Sequence, residues 1–185
     1  MTTSPLPTRL ATPTDGPQIR DLVESAFRAA DTRPNWTGDL ALGARFHVAL
    51  DDILTRITEE DSAILIATAA DVDSNDPPII ACVSMRRHGP GLARLSYLAV
   101  NQRYQQGGLG RMILSLAEGH CRDVWGVKRV GLNALDTRLA LIGWYERCGY
   151  SPTGEVTRFQ LPPDVLSFVE MEKGVEGVEG VVRLS

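Results

Sequence analysis

Cysteine is scarce: three residues in 185, at positions 82, 121 and 148, an odd number with no pairing framework. That excludes a disulfide-stapled secreted scaffold and points to a reducing compartment, the cytoplasm. Histidine is equally scarce, and His47, His88 and His120 have no metal-ligand spacing with one another or with the cysteines, so no metal is expected. Excess positive charge is missing too. Nineteen Lys and Arg against 23 Asp and Glu give a net charge of −4, and the pI is near 5.4, which excludes a broad nucleic-acid footprint. No apolar run reaches the roughly 20 residues of a membrane span. Residues 1–10 are rich in Thr, Ser and Pro and lack the apolar centre of a secretory signal. The last three residues, Arg183-Leu184-Ser185, are no Ser-Lys-Leu peroxisomal address. A chain 43% hydrophobic and 23% charged suits one globular domain with a sizeable core.

Glycine is not scarce, and one cluster organises the rest. The apolar run Leu98-Ala99-Val100 is followed by a polar loop, and Gln105-Gln106-Gly107-Gly108-Leu109-Gly110-Arg111 then opens a periodic segment. There Met112, Ile113, Leu116, Ala117, Cys121 and Val124 share one helical face, while Arg111, Ser115, Glu118 and Arg122 share the other. A strand, a short loop and a helix whose first turn is nearly bare of side chains are expected. Such a start exposes about four unpaired N–H groups and the positive end of the helix dipole, which suits a phosphate or pyrophosphate. Other glycine-rich signatures fit poorly. A P-loop needs Gly-Lys-Ser/Thr where Arg111-Met112 follows Gly110, and a dinucleotide fingerprint starting at Gly108 needs a third glycine where Ile113 stands. The bland alternative is a tight strand-to-helix turn with no ligand.

In chain order, Arg9 to Ala11 suits a first strand. Asp15 with Pro17 marks a helix start, followed by an apolar stripe at Ile19, Leu22, Val23, Ala26, Phe27 and Ala30. A loop around Trp36 precedes a second stripe at Phe46, Ala49, Leu50, Ile53 and Ile57. Strands are expected over residues 63–67, 79–85, 92–100 and 127–135, the last with Val130, Leu132 and Ala134 inward. Thr137 reads as the cap of a short helix that Gly149 ends. A strand pair follows, over 150–159 and 166–171, with Val169 and Met171 alternating against Glu170 and Glu172. The domain is expected over 9–173, after a flexible 1–8. The repeat Val175-Glu176-Gly177-Val178-Glu179-Gly180 suggests a disordered tail over 174–185.

The hexapeptide from Gln105 to Gly110 resembles the Gln/Arg-x-x-Gly-x-Gly/Ala signature of the GNAT superfamily of N-acetyltransferases. A second segment, Gly143-Trp144-Tyr145-Glu146-Arg147-Cys148-Gly149-Tyr150, is similar to that superfamily's Tyr-x-x-x-Gly-Phe/Tyr. The resemblance implies an α/β (α+β) GNAT fold: a mixed, mostly antiparallel central sheet flanked by helices, its fourth and fifth strands splayed to admit the cofactor. It implies acetyl-coenzyme A as co-substrate and direct acetyl transfer to a primary amine, on a small molecule, peptide or protein, by a monomer or homodimer. A non-catalytic acyl-coenzyme A-binding module is the rival.

The resemblance also assigns residues. Leu98, Ala99 and Val100 would offer backbone groups to the pantetheine arm, and the amides of Gln106, Gly107, Gly108, Leu109, Gly110 and Arg111 would take the pyrophosphate, with Gln105 opening the motif. Tyr145 matches the family's general acid; a phenol with pKa about 10 is protonated at neutral pH and can give its proton to a departing thiolate. On periodicity alone it packs with Leu141, Ile142 and Cys148. Asn133 resembles an asparagine facing the cofactor cleft, or else forms a strand-end turn. Arg138 stands where many relatives carry a coenzyme-binding Asn, in a variant pattern Arg-x-x-Leu-Ile-x-Trp-Tyr; it would contact a phosphate or fix the Asp136 loop. Trp36 is either a lid over the substrate or a packing anchor. The strand-four position that is often Glu is Ser96, so Asp39, Glu155 and Asp136 are candidates near the acceptor. Cys148 reads as a small packing residue rather than a nucleophile.

Overall fold

Alternation of buried side chains is what divides the molecule into layers. The computed structural model describes residues 6–29, 33, 36, 39–69, 77–162 and 164–176. Along them run β1 (Thr8–Leu10), α1 (Gly16–Arg28), α2 (Leu40–Arg45), α3 (Leu50–Thr58), β2 (Ser62–Thr68), β3 (Ile79–Arg87), β4 (Leu92–Val100), α4 (Leu109–Asp123), β5 (Arg129–Leu135), α5 (Leu139–Arg147), β6 (Ser151–Leu161) and β7 (Asp164–Gly174). The strands form one seven-stranded sheet in the order β1-β2-β3-β4-β5-β7-β6. Every neighbouring pair is antiparallel except β4 and β5.

Central strands are covered on both faces, so they read as apolar runs. From β2, Ile64 and Ile66 face a core with Ile19, Val23 and Ile53 of α1 and α3. Leu65 and Ala67 face the opposite core, with Ile113, Leu114, Ala117 and Cys121 of α4. The two cores are the two faces of the sheet, and the parallel β4–β5 pair follows from α4 crossing over one of them. No helix among the described residues is long and apolar enough to cross a membrane.

β4 and β5 pair only at their starts: Leu92 with Arg129, Ala93 with Val130, Arg94 with Gly131. Beyond that point β4 continues alongside β3 and β5 alongside β7, but no longer beside each other. This is the splay of the fourth and fifth strands that the resemblance implies. Within the open stretch β4 also bulges. Ser96 pairs with Ser84 and Ala99 with Cys82, so Tyr97 and Leu98 both stand opposite Val83, and Tyr97 takes φ 52°. A bulge bends the strand and re-aims its groups, and a positive φ at a bulky residue is strain held by its surroundings.

Several expectations are corrected. The short α2 precedes the second apolar stripe. Asp15 and Pro17 do open α1, at its N-cap and first turn, but the Asp15 carboxylate does not cap that helix: it accepts backwards, from Thr12 N at 2.7 Å and from both Arg9 terminal nitrogens at 2.8 Å. Thr137 does not cap α5; Arg138 occupies that position without a side-chain cap. On α4 the buried stripe is turned round the helix: Leu114 and Glu118 are inside, while Leu116 and Val124 are exposed. Glu118 is tolerated there because Tyr150 Oη donates to it at 2.8 Å and Lys173 Nζ at 2.6 Å. Glu170, expected to alternate outward, is also buried. At the end of the described residues, β7 runs to Gly174, and Val175 is buried, its N–H donating to Lys128 O at 2.9 Å. The rest of the tail, from 177, lies outside the described residues.

The Arg9–Asp15 pair makes a pH test of the β1–α1 corner. Arg9, then the Thr12 amide and hydroxyl, hold the buried Asp15 carboxyl down at about 2, against 3.8. A depressed carboxyl stabilises the fold above its unfolded value, and the gain is lost as pH falls from about 4 through about 2. Asp15→Ala is expected to cost about 1–3 kcal/mol at pH 7. In urea titrations repeated at pH 7, 4 and 2, the gap between wild type and variant should close over that lower interval.

Candidate functional site

The site is built where β4 ends. The Asn101 carboxamide accepts from Arg103 N at 3.1 Å and starts a 3-10 turn, Gln102–Tyr104. Gln105 Nε2 donates to Val100 O at 3.2 Å, tying the loop to the strand that delivers it. Gln106 (φ 73°) and Gly108 (φ 78°) both adopt left-handed conformations, and Gly108 caps α4. The first helical bond runs from Met112 N to Gly108 O at 3.0 Å, so the amides before Met112 have no helical acceptor. A Cβ at Gly108 would meet no atom within 4 Å, and one at Gly107 only Tyr104 O at 3.9 Å. Open space in front of amides with no acceptor among the described residues, at the positive end of a 15-residue helix, has the chemistry and the shape that suit an anion. Gly110 faces protein rather than open space: a Cβ there would lie at ordinary contact distance, 3.6 Å, from Trp144 and from Val100. Arg111 sends its side chain to Arg147 O at the end of α5.

Tyr145 sits on α5 behind that contact. It is 7% exposed, with its ring edge-on to Trp144 at 5.1 Å and to Tyr150 at 5.9 Å. Burial pushes its hydroxyl far above the ordinary phenol value, partly opposed by the Arg138 guanidinium. The group is therefore a phenol at every pH at which the protein would work. Its hydroxyl makes no hydrogen bond to another described residue. Burial also pushes the Cys82 and Cys121 thiols up to about 12, which removes them as nucleophiles at neutral pH.

Arg138 and Trp36, distant in sequence, meet. Arg138 Nη2 donates to Trp36 O at 3.1 Å, and Arg33 lies 3.7 Å over the Trp36 ring while reaching Gln105 Oε1 at 3.5 Å. Arg33 and Trp36 therefore connect the β4–α4 loop with the β5–α5 corner, across the mouth of the splay. Asp39 caps α2, accepting from Leu42 N at 3.0 Å. Glu155 is exposed on the sheet-edge strand β6, and Asp136 is exposed after β5. Asn133, exposed on β5, pairs with Glu170 of β7.

Four residues to which sequence reasoning gave no role in the site stand on the sheet face that α1 and α3 cover, to either side of the gap. Arg56 of α3 donates through Nη1 to Ser84 Oγ at 3.3 Å and to Ser96 Oγ at 3.2 Å. Arg94 crosses over Gly131, where a Cβ would lie 3.2 Å from its Nη1, and pairs with Glu170. Thr157 Oγ1 donates to Glu170 as well, at 2.7 Å. The buried glutamate was the available signal, but a strand-period reading assigns it to solvent. No cluster among the described residues has three or more His, Cys, Asp or Glu placed to hold a metal ion.

The family model for the acetyltransferase (GNAT) family matches residues 21–150. The chain belongs to the GNAT family. Solved acetyltransferases share its fold at low identity. The ribosomal-protein-S18-alanine N-acetyltransferase of Escherichia coli is 17% identical with a TM-score of 0.68, covering 97% of this chain and 98% of that one. A spermidine N-acetyltransferase chimera from Vibrio cholerae is 13% identical, with a TM-score of 0.67, covering 93% and 96%. A GNAT acetyltransferase from Streptococcus pneumoniae is 15% identical, with a TM-score of 0.65, covering 92% and 99%. No curated protein sequence matches it. Within this GNAT domain, the Arg94–Glu170 pair spans the root of the splay from β4 to β7. Glu170→Gln removes the charge partner of a half-buried guanidinium and is expected to cost about 1–3 kcal/mol by urea denaturation. The apolar double variant Arg94→Met/Glu170→Leu should recover much of that loss, because no uncompensated charge remains.

Proposed function

We propose that the protein transfers the acetyl group of acetyl-coenzyme A to a primary amine, by direct attack in a ternary complex. The observation that supports this most is the splay itself: β4 keeps a free backbone edge beyond Arg94, and that edge leads straight to the bare N-terminus of α4. The amides of Gln106, Gly107, Gly108, Leu109, Gly110 and Arg111 would hold the pyrophosphate. Leu98, Ala99 and Val100 would pair with the extended arm like one more strand, and the amide near Val100 would polarise the thioester carbonyl. Bound there, acetyl-coenzyme A supplies an acetyl group activated as a thioester.

Tyr145 Oη would give its proton to the departing sulfur. Burial keeps the phenol protonated, so its O–H is in place to donate to the sulfur as it leaves. Arg138, the departure from the usual Asn in this variant of the family pattern, would hold the Trp36 segment over the cleft and tune Tyr145. Trp36, Asn133 and Glu155 would border the acceptor. Asp39 is committed to its helix cap and Glu155 and Asp136 are exposed, so we assign deprotonation of the amine to water held by main-chain carbonyls of the splayed strands. Three free cysteines suit a cytoplasmic protein.

Tyr145→Phe separates this reading from a non-catalytic acyl-coenzyme A-binding module. The hydroxyl makes no hydrogen bond to a described residue and the ring contacts survive, so the melting temperature and acetyl-coenzyme A affinity should hold. Thiol release with an amine panel should fall by about two to four orders of magnitude. Unchanged turnover with chemistry limiting would refute the acid role, and no turnover by wild type on any amine would favour the binding module.

A further inference from the structure

Arg56 is a guanidinium beside the gap that has no counter-ion among the described residues. It is half-buried, its Nη1 is engaged by the Ser84 and Ser96 hydroxyls, and its Cζ lies 4.6 Å from the centre of the Tyr97 ring. Among the described residues it forms no ion pair, and its Nε and Nη2 make no hydrogen bond. The contrast with its neighbours is direct: Arg86, Arg87 and Arg94 on the adjoining strands are paired with Glu59, Asp61 and Glu170. Two hydroxyls and an aromatic face orient Arg56 but leave its charge uncompensated. The two nitrogens left over are a fork that fits a carboxylate through two parallel bonds.

Its place in the sheet ties it to the acceptor. Arg94 and Gly131 are the last parallel partners of β4 and β5, and two residues further on stand Ser96 and Asn133. Ser96 with Arg56 forms one lip of the gap, and Asn133 with its partner Glu170 forms the other. Glu170 is already balanced by Arg94, so the two lips together carry one unmatched positive charge, that of Arg56. An amine must be neutral to attack. An acceptor that also bears a carboxylate is then an anion in its reacting form, and it matches that charge. A polyamine keeps positive charge elsewhere and meets a like charge instead.

We propose that the acceptor is an amine bearing a carboxylate, of the amino-acid class, and that Arg56 receives the carboxylate. This rests on the acetyl-transfer reading above. The test measures thiol release by the full chain with acetyl-coenzyme A and each of the twenty L-amino acids. Ethylamine, phenethylamine and tyramine serve as descarboxy partners of alanine, phenylalanine and tyrosine, and spermidine is added. At least one amino acid should show kcat/KM tenfold or more above the descarboxy amines and spermidine. Arg56→Gln should raise the KM for that amino acid at least tenfold, about 1.4 kcal/mol, leave the KM for acetyl-coenzyme A within twofold, and erase the preference; Arg56→Lys should restore part of it. Acetylation of spermidine or the descarboxy amines in preference to every amino acid overturns the proposal, as does a loss in Arg56→Gln that is equal for both kinds of acceptor. If no amine releases thiol, it is the acetyl-transfer reading that fails, and calorimetric titration of the same amino acids decides the Arg56 site. Binding by wild type that Arg56→Gln abolishes sustains it, and no binding by wild type overturns it.

Discussion

The structure depends on one interrupted ladder. β4 and β5 are parallel partners for three residues and then part, and everything functional is arranged around the gap that follows. Unpaired backbone groups inside a sheet are costly unless something satisfies them. Here the cost is confined, because each strand keeps its outer neighbour: β4 stays on β3, and β5 stays on β7. Beyond Arg94 and Gly131 the inner edges pair with no other strand among the described residues.

Three features keep the gap from closing or widening. The bulge at Tyr97 and Leu98 bends β4 away just where the ladder fails, with Tyr97 strained at φ 52°. At the root, Arg94 reaches across the strand between to Glu170, possible because Gly131 has no side chain in the way. At the mouth, Arg33 and Trp36 link to Gln105 on one side and Arg138 on the other. The two hydrophobic cores lie on opposite faces of the sheet, so helices press from both sides on strands that are free only along one edge.

Much of this was legible in the amino-acid order, for local reasons. The glycines from 107 to 110 announce a bare helix start, Val130, Leu132 and Ala134 alternate as a half-covered strand must, and Gly149 takes its left-handed φ of 97°. What was hidden depends on partners far away along the chain. Glu118 and Glu170 look like solvent-facing positions of a helix and a strand; they are buried because Tyr150, Lys173, Arg94 and Thr157 arrive to satisfy them. Arg56 looks like the polar face of an amphipathic helix until Ser84 and Ser96, 28 and 40 residues away, are folded beneath it. The six residues of α2 are too few to leave a periodic signature.

The central claim is that the open edge of β4 and the amides opening α4 form one continuous site for acetyl-coenzyme A. Amide hydrogen exchange with and without saturating acetyl-coenzyme A tests it residue by residue. Protection should rise along residues 97–100 and 106–111 and change little on the far strands β1 and β2, which touch neither the gap nor the helix start. Unchanged exchange at both segments with the ligand bound, or protection confined to another surface, would contradict it.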